Sequence, residues 1–115
     1  MLMPDSPSLL KGTLDVLVLK ALAWAPMHGF ELARWLERHA RGAFEIEEAA
    51  VYQALYRLEA RELVAADWGR SEKGRRARYY RLTAPGRARL RAEAASWRRY
   101  ADAVAAILDS APGRA

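Results

Sequence analysis

A mainly α-helical fold with one small β-hairpin and a long final helix is what three features of this 115-residue sequence predict. From Glu47 onward, Val51, Leu55 and Leu58 recur at i, i+4 and i+7, the spacing of a helix with one apolar stripe. Two short runs rich in Val, Trp, Tyr and Leu follow, 63–68 and 77–83, separated by Gly-containing polar sequence, so they read as a hairpin. After Thr83, Leu90, Ala94, Trp97, Ala101, Val104 and Leu108 are spaced 4, 3, 4, 3, 4, a heptad seam. A helix followed at once by a basic hairpin is the layout of a winged helix-turn-helix.

Taken in order, residues 1–8 hold two prolines and two serines and are expected to form a flexible N-terminal arm. The first helix is predicted from Leu9 to Trp24. Leu10, Leu14, Leu17, Val18, Ala21 and Leu22 form one stripe, and Val16, Leu19 and Ala23 a second apolar face. A helix apolar on two sides is buried on two sides. Pro26 ends it. Helix 2 is expected from Gly29 to Ala40, with Phe30, Ala33, Leu36 and Ala40 inward, Leu32 and Trp35 flanking, and Glu31, Arg34, Glu37, Arg38 and Arg41 exposed. Gly42 stands where a helix terminates. The segment 44–46 is read as extended and available as an extra strand of the wing sheet.

Helix 3 turns Gln53, Tyr56 and Arg57 away from its core stripe, with only Ala50 and Ala54 between them. Gln and Arg are side chains that read base edges bidentately in a major groove, and small neighbours permit close approach. Glu45, Glu47 and Glu48 suit the positive end of this helix, although they stand where phosphates would pass. The hairpin tip, 69–78, carries Arg70, Lys73, Arg75, Arg76 and Arg78 against one acid, Glu72. The last helix has Thr83 as N-cap and Pro85 in its first turn, and is expected to reach Asp109. One small domain cannot cover so long a helix, so the seam Leu90, Ala94, Trp97, Ala101, Val104 and Leu108 predicts a homodimer. Packing of that stripe on its own domain is the alternative. The division that follows is an arm over 1–8, a winged-helix domain over 9–83, a dimerisation helix over 84–109 and a flexible tail over 110–115.

Composition narrows the function. The net charge is +5 with pI near 10.0, and nine basic residues but one acid lie between Arg70 and Arg91. Such concentration on a loop and the helix after it favours a polyanion, because each neutralised phosphate releases counterions. Cysteine is absent, there is no apolar run of membrane-spanning length, and the N-terminus lacks the pattern of a secretion signal, which together suggest a cytoplasmic protein. His28 and His39 have no carboxylates arranged about them for a metal or a base; His28 could touch a phosphate. There is no phosphate-cradling glycine loop, G-x-S-x-G or HExxH. Neither catalysis, a cofactor nor a metal is expected.

The stretches LLKGTLDVLVLKAL (9–22), MHGFEL (27–32), VYQALYRLE (51–59) and WGRSEKGRRARYYRLTAPGR (68–87) resemble the PadR family of bacterial transcriptional regulators. The pattern WG-S-E…RRA-YY-LT-GR is its most specific part. The resemblance covers almost the whole chain and is nearest to short members with a single C-terminal helix, of the kind common in acidobacteria, including a tryptophan midway along that helix, here Trp97. It implies a dimeric winged-helix repressor whose recognition helices enter successive major grooves of a near-palindromic operator in double-stranded DNA. Members commonly regulate transporter or detoxification operons, and some respond to aromatic or drug-like ligands. Departures fall at Ala49 and Ala50 (usually glycine and a small polar residue), Gln53 (usually proline), Glu62 (usually glycine) and Phe30 (usually tyrosine). Gln53 restores a backbone donor and base-reading capacity, whereas Phe30 lacks a hydroxyl that could meet phosphate.

The DNA-contacting candidates are therefore Tyr52, Gln53, Tyr56, Arg57, Lys73, Arg75, Arg76 and Arg78. Tyr52 reads equally as packing against helix 2. Trp97, between Ala94 and Ala101, is the ligand candidate: an indole flanked by small residues on a dimer seam leaves room for a flat aromatic molecule. It reads also as the largest core side chain of the dimer. Trp24, Trp35 and Trp68 are assigned to the core or to element ends. A different class of function, a winged-helix module binding an acidic protein without sequence-specific DNA recognition, remains the alternative. RNA binding would require Tyr79 or Tyr80 as a stacking platform.

Overall fold

The computed structural model describes residues 12–113, so the expected arm over 1–8, the start of helix 1 and the last two residues lie outside the described part. The order is α1 (Thr13–Trp24), α2 (Gly29–His39), α3 (Glu48–Ala60), β1 (Val64–Arg70), β2 (Arg76–Leu82) and α4 (Ala84–Leu108). The mainly α fold with a two-stranded antiparallel hairpin and a long last helix is thus present. Strand pairing runs from Val64↔Leu82 to Arg70↔Arg76. The strands extend further toward the tip than the sequence suggests, leaving 71–75 as the turn.

The core forms where α1, α2 and α3 meet the base of the hairpin. Val18, Leu19, Leu22, Leu32, Leu36, Val51, Leu55, Leu58, Val64 and Leu82 are all buried, and no buried residue among those described is polar or charged. Leu19, expected on a separate face of α1, lies in this same core, while Ala23 is exposed. Along α2 the buried row is Gly29, Leu32, Ala33 and Leu36. Phe30, expected inward, is 50% exposed, and the Arg34 guanidinium covers its ring at 5.3 Å. The inward position at the start of α2 is held by Gly29, where any Cβ would clash with the phenol end of the Tyr52 ring.

The segment 44–46 does not add a strand. Its backbone groups are taken by side chains of α2: Ile46 N–H donates to Glu37 Oε2 at 3.0 Å, and Arg34 Nη2 donates to the Ile46 carbonyl at 3.4 Å. Met27 extends the sheet instead, exchanging backbone hydrogen bonds of 3.1 and 2.9 Å with Tyr80. That exchange ties the turn between α1 and α2 to β2.

The end of α3 is a Schellman turn. Leu63 N–H donates to the Leu58 carbonyl and Glu62 N–H to that of Glu59, both at 2.9 Å. Glu62 stands at the left-handed position with φ 61°, where glycine is the usual occupant. Thr83 caps α4 by accepting from Gly86 N–H at 3.0 Å and ties the helix to this turn by donating to the Glu62 carbonyl at 2.8 Å. The approach is so close that a Cβ on Gly86 would overlap the Leu63 carbonyl oxygen.

From that anchor α4 runs 25 residues, about 37 Å at the helical rise. It packs on α1 and still borders that helix at Trp97 and Tyr100, whereas Val104, Ile107 and Leu108 beyond them are exposed. The radius of gyration is 16.7 Å, against about 13 Å for a compact chain of this length. No helix among the described residues is long and apolar enough to cross a membrane.

Candidate nucleic-acid interface

The buried row of α3 is Val51, Ala54, Leu55 and Leu58. Ala54, expected on the outer face, is therefore a core residue. At the helical angle of about 100° per residue, Ala49, Gln53, Tyr56 and Ala60 then point straight away from the core, and all four are exposed. Tyr56 is 78% exposed. The outward strip thus places two long hydrogen-bonding side chains between two alanines, a shape that fits a groove.

Two ion pairs flank this strip. On the α1 side, Arg57 Nη2 lies 2.6 Å from Asp15 Oδ1 and its Nε lies 3.5 Å from Oδ2. The Asp15 hydrogen bond holds the guanidinium still more firmly protonated than an isolated arginine. On the hairpin side, Arg78 Nη2 lies 2.8 Å from Glu59 Oε2. Sequence reasoning misses both carboxylates. Asp15 is 42 positions from Arg57, and nothing local in the sequence signals such a pair.

Tyr52 lies beside the strip, its ring seated on Gly29 and 44% exposed. Partial burial pushes its phenol above 10.0, and the neighbouring Glu48 carboxylate pushes in the same direction. His28, next to Gly29, caps α2 by accepting from Glu31 N–H at 3.2 Å and meets the Tyr79 ring edge-on.

In the hairpin, the register puts Trp68, Arg70, Arg76 and Arg78 on the same face as the buried Val64, Tyr80 and Leu82. That face leaves the core as a basic surface continuing from the end of α3. The Arg76 guanidinium lies over the Trp68 indole, 4.3 Å from its centroid. Trp68 is 60% exposed, so it is neither core nor a buried strand end. Lys73 and Arg75 occupy the exposed turn. Arg70 Nη1 donates to the Gly74 carbonyl at 2.9 Å, and Tyr79 Oη to that of Arg70 at 3.0 Å, which stiffens the tip.

Trp97 lies apart from this surface, on α4. It is 40% exposed and lies against Tyr100, ring centroids 5.5 Å apart. An open groove of about 360 Å³ beside it is lined by Gly12, Thr13, Val16, Glu93, Ser96, Trp97 and Tyr100. Ala94 and Ala101 are half-buried and do not line it. Leu90 packs against the core, while Val104 and Leu108 are exposed. Trp24 is also exposed, in a cluster with Trp35 and His39, whose rings stack at 3.8 Å.

Known proteins share this architecture. A PadR-like transcriptional regulator of Bacillus cereus is 25% identical and superposes with a TM-score of 0.76, over 89% of this chain and 97% of its own. A PadR family transcriptional regulator of Eggerthella lenta is 33% identical with a TM-score of 0.74, over 88% of this chain and 86% of its own. An uncharacterized protein of Lysinibacillus sphaericus is 29% identical over 89 residues, 77% of this chain and 82% of its own length. The model of the transcriptional regulator PadR-like family matches residues 18–92, a span that holds α2, α3, the hairpin and most of α1. The chain therefore belongs to the PadR-like family, whose members are transcription regulators that bind DNA and are not enzymes.

Proposed function

We propose that the chain is a cytoplasmic homodimeric repressor of a neighbouring transporter or detoxification operon. Residues 9–83 form its DNA-binding unit and 84–109 its dimerisation helix. The strip of Gln53 and Tyr56, flanked by Arg57, enters a major groove at each half of a near-palindromic operator. Lys73, Arg75, Arg76 and Arg78 meet the adjoining backbone. Phosphate contacts of that kind position the protein, and the strip supplies base discrimination. A planar hydrophobic molecule entering the groove beside Trp97 releases the DNA.

The observation that carries this reading is the uncovered apolar side of α4. Trp97, at the edge of α1, is 40% exposed, and Val104 and Leu108 farther along the helix are 38 and 76% exposed. A second copy covering that side sets two recognition helices in a fixed relation, and twofold protein symmetry calls for a twofold operator. The groove's volume of about 360 Å³ falls within the range that holds small organic ligands.

The test is binding to DNA upstream of the gene that contains an inverted repeat, compared with random duplex at fixed salt. Two chains per duplex and a preference of about 10³ or more are expected. A planar hydrophobic compound that quenches tryptophan fluorescence should lower operator affinity. Equal affinity for the repeat and for random DNA would overturn the reading.

A further inference from the structure

We propose that Asp15 is a positioning residue for sequence readout: it braces Arg57 so that the guanidinium presents its outer edge to a guanine in the major groove. The inference rests on the DNA-binding reading above. It assigns to α1, a helix that packs into the core and borders the groove beside Trp97, a part in reading bases.

The argument starts from the donor inventory of arginine, five N–H groups in a rigid planar fork. Asp15 takes one inner edge of that fork. Its Oδ1 lies 2.6 Å from Nη2 and its Oδ2 lies 3.5 Å from Nε. One Nη1 hydrogen and the second Nη2 hydrogen are left side by side at the outer end of the fork, while the other Nη1 hydrogen points back along the side chain. That end-on pair matches the O6 and N7 acceptors of guanine, the commonest specific arginine contact. The Arg57 side chain is 51% exposed and that of Asp15 only 22%, so the brace lies behind and the fork in front.

Position on the helix agrees. Arg57 flanks the outward strip on the α1 side, one turn after Gln53. An unbraced arginine at such a place explores many rotamers and pays entropy to settle on one base. A carboxylate behind it removes much of that cost before binding. Asp15 is itself held in place, in the first turn of α1, where the helix dipole favours a carboxylate.

The opposite role is physically conceivable: a carboxylate this close could compete with DNA and hold Arg57 back. The two roles give opposite results. The full chain is used to enrich binding sequences from a duplex pool randomised over about two helical turns. Asp15→Asn, Arg57→Ala and the double variant are carried through the same enrichment. Under the brace, wild type enriches a guanine at one position of each half-site, and Asp15→Asn loses that preference. The ratio of operator to random affinity falls at least about tenfold. The double variant is no worse than Arg57→Ala alone, because Asp15 acts through Arg57. A merely structural role would not give a change confined to one base position. Should Asp15→Asn fail to fold, Arg57→Lys serves: it keeps the charge but loses the fork, and the guanine preference should vanish with it.

Three results overturn the proposal. One is a rise in affinity of Asp15→Asn for operator and random duplex alike, the signature of a competitor. Another is an Arg57→Ala or Arg57→Lys variant that enriches the wild-type sequence unchanged; the repressor reading then stands while the brace falls. The third is failure of wild type to enrich any sequence, which removes both.

Discussion

Tyr52 shows how one side chain can join two elements while staying partly open to solvent. Its ring fills the space that Gly29 leaves open, locking α3 against the start of α2, while its hydroxyl edge stays at the surface among Glu48 and Phe30. Burial and the Glu48 carboxylate raise the phenol above 10.0 in the folded protein. A raised folded value means that the stabilisation is complete below the unfolded value and is lost as pH climbs through the folded one. In an ultraviolet titration, Tyr52→Phe should therefore delete a late step, one lying above the ordinary tyrosine value. A late step that survives the substitution belongs to another tyrosine. In the sequence, contact with phosphate and packing on helix 2 weigh equally for this residue; the glycine opposite it favours packing.

At the scale of elements, the turn after α3 governs how recognition helix and wing meet. Its Schellman hydrogen bonds hold although Glu62 sits at φ 61°. Left-handed backbone costs a residue with a Cβ roughly 1 kcal/mol more than glycine. Glu62→Gly should thus raise stability by about that amount, seen as a higher urea midpoint with an unchanged slope. A lower midpoint would mean that the Glu62 side chain contributes something the backbone argument omits. The wing calls for a different measurement. Arg75 lies in the exposed turn and Arg76 is stacked over Trp68, and both belong to the proposed phosphate-contacting set. Neutralising the two together should weaken binding to all duplexes alike. It should also flatten the dependence of log K on log salt by about 0.9 for each phosphate that is no longer neutralised. An unchanged slope would remove both from the DNA interface. The hairpin is legible from its β-rich runs and intervening glycines. Its register is not, since that depends on the length of the turn, and with it goes the Trp68–Arg76 stack.

For the molecule as a whole, shape is the informative property. Tyr100, Ile107 and Leu108 are 55, 73 and 76% exposed on the outer half of α4, a concentration of apolar surface that a lone domain leaves to water. Val104→Glu combined with Leu108→Glu should convert a dimer to a monomer in sedimentation. Because neither side chain belongs to the buried core, the monomer should keep its helical signal, while affinity for a symmetric site falls toward that for random DNA. A wild-type chain that already sediments as a monomer would refute the dimer.

Local periodicity and end signals were enough to determine the helices, the hairpin and the long last helix. Apolar spacing, Thr83 before Pro85 and β-rich runs act between neighbours in the chain, where residue type alone sets the energy. The family was legible in the same way, from motifs carried by short contiguous stretches. What only the tertiary structure decided were contacts between residues distant in sequence: Asp15 behind Arg57, Glu59 beside Arg78, Glu37 and Arg34 holding Ile46, and Met27 rather than 44–46 joining the sheet. Each depends on where two elements come to rest against each other. That is set by the fit of the shared core, through steric terms such as Tyr52 on Gly29 and the Leu63 carbonyl against Gly86, which no one-dimensional pattern contains.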